Sequence, residues 1–199
     1  MTTKEYQNRI DTLLKNKLPE LEIENEWVAF RGYHNQYSPR VDIAVGPFST
    51  EPGQNKIEEY NRLVRQSNIN SFLRSLYRLH KENVRNLHVE NDNNELLDET
   101  IIPNFNDVVS KNWNARCFLA LEIENKNTRK HVMGSVINAA SLGRVGVGIA
   151  YSEEILRAFV RILNYLHFLK RVGKNYYDTT NFLIITKEQM LTLLDDMLG

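Results

Sequence analysis

The spacing of apolar positions changes several times along the chain, and each change marks an element. Tyr6, Ile10, Leu13 and Leu14 fall on one helical face. Thr2, with Glu5 three residues on, gives that helix a capping box, and Pro19 closes it. The stretches "IENEWVAFRGY" (23–33) and "PRVDIAVGPF" (39–48) then read as strands, joined by the polar turn "HNQYS" into an antiparallel hairpin.

Residues 49–114 break this rhythm. "TEPGQNKIEEYNRLVRQ" and "SNINSFLRSLYRLHKEN" are helical by pattern, and in the second Ile69, Phe72, Leu73, Leu76 and Leu79 form one face. The acidic, asparagine-rich run "VENDNNELLDETIIPNFND" that follows is expected to be a long surface loop, and so long an insertion between strands is uncommon unless it serves a function. Beyond it the spacing predicts a strand over 115–124 and a helix from Thr128, with Val132, Met133, Val136, Ile137 and Ala140 on its apolar face and Gly143 at its end. "RVGVGIAY" (144–151) is a buried strand, and Ser152 opens a helix that Gly173 closes. A last strand, "NFLIIT" (181–186), leads into a helix opened by Thr186 and Gln189, with Met190, Leu193, Leu194 and Met197 as its apolar positions. The order α-β-β-(insertion)-β-α-β-α-β-α describes one α/β domain over residues 1–199, with 49–114 as a helical and loop insertion.

Composition narrows what such a domain does. Formal net charge is zero, so the field of the whole protein does not draw in nucleic acid, and any such binding needs a local basic face. A single cysteine, Cys117, excludes an internal disulfide framework and a cysteine-rich zinc site, and reads as a small buried residue. The first residues hold no apolar signal core and no run reaches the roughly 18–20 apolar residues of a membrane span, so a cytoplasmic protein without a membrane partner is expected.

The chemistry concentrates where the third strand ends. "FLALEIENK" places Glu122, Glu124 and Lys126 at alternate positions, so a continued strand puts them on one face. Two carboxylates that close repel unless a cation lies between them or one takes up a proton. Hard divalent ions favour a few carboxylate oxygens together with water and phosphate, and a nearby lysine suits the charge of a phosphodiester under attack. A third acid comes from "PRVDIAV", where Asp42 is the one carboxylate in an otherwise apolar strand, with Arg40 on the same face. The plain alternative is that Arg40–Asp42 and Glu124–Lys126 are ordinary ion pairs.

With Asp42 on the second strand and Glu124-Asn125-Lys126 on the third, the chain resembles the PD-(D/E)xK, or restriction-endonuclease-like, nuclease superfamily. The resemblance covers 1–48 and 115–151. It implies a mixed central sheet flanked by helices, with the helical insertion lying between core strands 2 and 3. It further implies a Mg²⁺- or Mn²⁺-dependent endonuclease cutting DNA, of restriction or repair type, and often a homodimer. Asp42 and Glu124 would hold the metal, Glu122 would be an accessory ligand or base, and Lys126 would position water and stabilise charge. Glu20 and Glu24 are weaker candidates for an acid near the first helix. The chain departs from the pattern in carrying Val41 rather than proline before Asp42, and in the 82 residues separating Asp42 from Glu124. The alternative function is a non-catalytic nuclease-like scaffold that binds DNA or a protein partner.

Several further groups are candidates for contact with substrate. Lys130, Gly134 and Asn138 form one stripe of the helix after the acids, with Arg129 and His131 beside Lys130 in its first turn. In the insertion, Arg74, Arg78 and Lys81 form a cationic stripe, with Arg62 and Arg65 before it. A solvated helix surface is the plain alternative for both stripes, and the insertion is equally suited to docking a protein. "GRVGVG" does not have the order of a phosphate loop, and its glycines more simply let a helix pack closely. The aromatic run "NYYDTTNF" (175–182) either packs a loop or stacks on bases.

Overall fold

The structure, a computed structural model, describes residues 1–30, 38–51, 53–88 and 102–197. Within them the chain runs α1 (Thr3–Lys17), β1 (Ile23–Val28), β2 (Arg40–Val45), α2 (Ile57–Arg65), α3 (Ser67–His88), α4 (Phe105–Ser110), β3 (Cys117–Glu124), α5 (Arg129–Leu142), β4 (Gly143–Ala150), α6 (Glu153–Arg171), β5 (Phe182–Thr186) and α7 (Lys187–Asp196). The expected capping residues do the capping. Thr2 Oγ1 accepts the Glu5 N–H while the Glu5 carboxylate accepts the Thr2 N–H, and Thr186 and Gln189 repeat the exchange at α7. Ser152 caps α6 through the Ile155 N–H.

The five strands form one mixed sheet in chain order, β1-β2-β3-β4-β5. β1, β2 and β3 pair antiparallel, and β4 and β5 then add in parallel, which requires the crossover helices α5 and α6. Both faces are covered. Leu119, Leu121, Val145, Val147 and Leu183 face a core closed by α1, α7 and the first half of α3. Ala120, Ala150 and Ile184 face a second core under α5 and α6. Burial on both faces explains why β3 and β4 read as nearly continuous apolar runs. The glycines of β4 act as expected: a Cβ on Gly146 would come within 2.8 Å of the Ala139 backbone, and one on Gly148 within 2.6 Å of the Phe182 ring.

The insertion is built into this sheet. α3 runs along the outer edge of β5, with Ile69, Phe72, Leu73 and Leu76 in the first core and Val84 in the second. The backbone of Ile184 would be unpaired at that edge. Its N–H instead donates to His80 Nδ1 (3.1 Å), and its carbonyl accepts from Asn83 Nδ2 (3.2 Å). These two side chains take the place of a sixth strand. Arg144 of β4, 1% exposed, ties down the rest of the insertion. It donates to the Val109 carbonyl (2.7 Å), the Asn112 carbonyl (2.7 Å) and Asn61 Oδ1 (3.0 Å).

The structure differs from the sequence expectations in three places. β1 and β2 are shorter than 23–33 and 39–48. The expected loop is interrupted by α4, whose cap Asn104 accepts the Asp107 N–H (2.9 Å) and whose Phe105, Val108 and Val109 are buried; residues 89–101 of that loop lie outside the described residues, as does most of the hairpin turn. β3 ends at Glu124, so Lys126 belongs to the segment before α5 and not to the strand.

Candidate active site at the opening between two strands

The β2–β3 ladder pairs Val45 with Leu119, Ala44 with Ala120 and Ile43 with Leu121, and then stops. One step further, the register sets Asp42 opposite Glu122. The strands part here, and the Asp42 side chain fills the gap: Oδ2 accepts the Ile123 N–H at 2.7 Å. Asp42 thus satisfies a backbone donor that the ladder abandons. β1 continues the row. Counting along its register sets Glu26 opposite Asp42, and the Glu26 charge adds to the rise at both Asp42 and Glu122.

Glu26 has φ of +52°, in the left-handed region that a residue with a Cβ seldom adopts and that costs about 1–2 kcal/mol. Its carboxylate is held from several sides: by Arg40 Nε (3.0 Å), by Gln7 Nε2 (3.1 Å) and by Lys4 Nζ (3.7 Å). Gln7 Nε2 also donates to the Asp42 carbonyl (2.7 Å), which fastens α1 to this end of the sheet. Arg40 therefore pairs with Glu26, where the sequence offered Asp42 as its partner.

Glu122 and Glu124 are each only 8% exposed. Glu124 Oε1 accepts the Lys126 backbone N–H (2.8 Å) and Oε2 accepts the Ser135 hydroxyl (3.1 Å). Burial pushes the Glu122 carboxyl well above the usual range, and the charge of Asp42 adds to this; a hydrogen bond from the Asn138 side chain opposes it, while Glu124 and Glu26 reinforce it. Asp42 is raised too, by burial first, against the Ile123 N–H and with Glu26 and Glu124 adding to the rise.

The remaining sequence candidates are distributed as follows. Lys126 is exposed, and among the described residues its ammonium has no ion-pair partner. On α5, Asn138 reaches Glu122, Lys130 is exposed, and Gly134 between them borders open space. The stripe therefore leads from solvent to the acids. The insertion cations stand elsewhere and are locally engaged: Arg74 lies over the Phe105 ring (4.3 Å) and bonds Asn70, Arg78 pairs with Glu82 (3.4 Å), and Lys81 lies over the Tyr77 ring (4.7 Å). Glu20 is exposed in the turn before β1, and Glu24 lies opposite Ala44.

Sequence reasoning missed Glu26, Ser135 and Gln7. Glu26 sits in an alternating strand pattern that gives no sign of its backbone conformation. Ser135 was visible as one turn past His131 and seven residues after Thr128, but nothing marked it as facing Glu124.

Asp42, Glu122 and Glu124 offer carboxylate oxygens of the kind that suits Mg²⁺ or Mn²⁺, and a cation beside Asp42 and Glu122 would offset the burial that raises both. Among the described residues no three His, Cys, Asp or Glu side chains are drawn together into a ready-made metal cage. The donors thus fit the ion in chemistry and would have to close around it. Comparison with family models, with curated proteins and with solved structures finds no match to this chain.

Proposed function

We propose that this chain is a divalent-metal-dependent endonuclease that hydrolyses DNA phosphodiester bonds, with a restriction-endonuclease-like core. The observation that carries the reading is the meeting of Asp42 and Glu122 across the opened β2–β3 ladder, with Glu124 one step further along the same strand face. The element order supports it: a helix, three antiparallel strands, a crossover helix and a parallel strand, with the acids at the end of the third strand.

Asp42, Glu122 and Glu124 would hold Mg²⁺ or Mn²⁺. When bound, the ion supplies Lewis acidity for a phosphoryl oxygen and lowers the pKa of water. Asn138 and Ser135 fix the orientation of Glu122 and Glu124. A buried carboxyl raised in pKa, Glu122 is suited to accept a proton from water. Lys126, exposed beside the acids, offers a cation to the scissile phosphate, and Lys130 offers another from the start of α5. Cutting both strands of a duplex would call for two such sites, hence a homodimer.

The second reading is a non-catalytic scaffold with the same core that binds DNA or a protein. It is favoured by the way protein donors already engage Asp42 and both oxygens of Glu124. Cleavage of linear, supercoiled, single-stranded and branched DNA with Mg²⁺ or Mn²⁺, comparing wild type with Asp42→Asn and Glu122→Gln, separates the two. Metal-dependent cutting lost in both variants supports the nuclease. Binding that survives both substitutions, with no cutting by wild type, supports the scaffold.

A further inference from the structure

The end of the molecule opposite the acids has a different character. Seven large apolar or aromatic side chains are exposed among the described residues, and six of them lie in the second half of α6, the segment after it or the segment before β3: Trp113, Tyr165, Phe168, Val172, Tyr176 and Tyr177. Tyr176 is 94% exposed, Trp113 66% and Tyr177 57%, while Phe182 of the same aromatic run is buried in the core against Phe159. The two loops that bear them are joined. Asn112 and Asn181 both donate to the Ala140 and Gly143 carbonyls, and Lys111 faces Asp178 at 3.9 Å.

Charge is segregated in the same way. From Tyr165 to Asn181 the chain carries one acid, Asp178, against Lys170, Arg171 and Lys174. From Val108 to Leu121 it carries Lys111 and Arg116 and no acid. Asp178 is already shared between Lys170 (2.7 Å) and Lys111. Lys170 and Arg171 suit the negative end of α6, but Lys174 lies beyond the helix and has no such reason to be there. A groove of about 400 Å³ opens between the second half of α6 and the following segment, lined among others by His167, Lys170, Arg171, Tyr177, Thr179 and Thr180. The loops at this end thus carry more cations than acids among their exposed rings.

We infer that this basic end binds single-stranded nucleic acid, with Tyr176, Tyr177 and Trp113 stacking on bases and Lys170, Arg171, Lys174 and Lys111 following phosphates. Flat aromatic rings among cations are the equipment of such surfaces. The cores of protein interfaces are depleted of lysine, which argues against a protein occupant. Paired bases are stacked inside a duplex and offer exposed rings nothing to stack on, which selects the single strand. The inference goes beyond the endonuclease reading and holds whether or not the acids cut. The two regions are separated by the length of α6, about 28 Å for its 19 residues.

The test is fluorescence anisotropy in EDTA with labelled oligothymidylate and oligouridylate of about 20 nucleotides, long enough to span such a surface. The wild-type protein binds both, and binding weakens as salt is raised. Tyr176→Ala with Tyr177→Ala weakens binding about tenfold or more, whereas Tyr176→Phe with Tyr177→Phe keeps it, because the rings remain. A duplex of equal length competes poorly. The inference is overturned if wild type does not bind single strands, if the alanine pair binds as wild type does, or if the duplex competes as well as the single strand. Sedimentation showing that wild type self-associates and the alanine pair does not would also overturn it, in favour of a second copy of the chain.

Discussion

Asp42 holds the Ile123 N–H at the point where β2 leaves β3, so one carboxylate both ends a ladder and faces Glu122. These roles can be separated by mutation. Asp42→Asn keeps an oxygen for the Ile123 N–H and should change stability little, while Asp42→Ala leaves that donor without its acceptor and costs about 1–3 kcal/mol. On the nuclease reading, both should also abolish metal-dependent cleavage. Denaturant melts of the two variants beside a cleavage assay make the comparison, and equal stability of the two would remove the capping role.

Glu122 carries a stability cost. Its carboxyl is raised by burial and by Asp42, so the folded state favours the protonated form more than the unfolded state does. Below the ordinary value of 4.5 the group is protonated in both states and costs nothing; stability falls as pH rises from there through the raised folded value. Glu122→Gln should therefore be more stable than wild type at neutral pH in EDTA, with a flatter pH profile above 4.5, and inactive in cleavage. A destabilised Glu122→Gln protein would argue that the carboxylate form is the one the fold requires.

Mg²⁺ or Mn²⁺ should raise the melting temperature of the wild-type protein. Selective binding to the folded state adds about 2.7 kcal/mol at a hundredfold excess over Kd. The rise should be lost in Asp42→Asn and in Glu122→Gln, and kept in Lys126→Ala. Lys126→Ala should instead lower the cleavage rate by about 10²–10³-fold, the usual loss for one electrostatic stabiliser. Calorimetric melts with and without the ion provide a readout that does not depend on finding the right DNA.

His80 titrates in the opposite sense to Glu122. Burial lowers its pKa from 6.5 to about 4, and its Nδ1 accepts the Ile184 N–H, which a protonated ring cannot do. Its contribution is complete above pH 6.5 and is lost as pH falls through about 4, in total about 3 kcal/mol. His80→Gln keeps an acceptor that does not titrate, so its stability should be less sensitive to acid in this window. Urea titrations between pH 4 and 7 measure the difference in slope.

Arg144→Met should cost about 3 kcal/mol or more, since the Val109 and Asn112 carbonyls and Asn61 would lose their donor in the interior. Arg144→Lys should not restore the loss, because one ammonium cannot reproduce the guanidinium fork. Thermal melts of the two variants give the answer.

Period and capping carried most of the architecture. The Thr2–Glu5 and Thr186–Gln189 boxes, Ser152 and the nearly continuous apolar runs of β3 and β4 state their elements outright, because those signals act between residues close in sequence. α4 was legible in principle from Asn104 and Asp107 with Phe105, Val108 and Val109, but six residues give too short a period to stand out from an acidic run. Asp42 and Glu122 could be picked out because an acid in an apolar strand is conspicuous. Glu26 could not, since its place depends on a positive φ and on the β1–β2 register. The alternation that put Lys126 on the strand fails because β3 ends two residues earlier, where Glu124 turns back to take the Lys126 N–H. The pairing of His80 and Asn83 with Ile184 joins residues about a hundred positions apart, and no local pattern announces it.

That distance also sets a timetable. α3 leaves the ribosome long before β5, so His80 and Asn83 have no backbone to hold until the strand containing Ile184 has been made. Until then the helix that borders the finished sheet lacks the strand edge it caps. Completion of the domain is thereby deferred to its last strand and helix, and a chain stalled before Phe182 would display an unsealed β4 edge to its neighbours on the polysome.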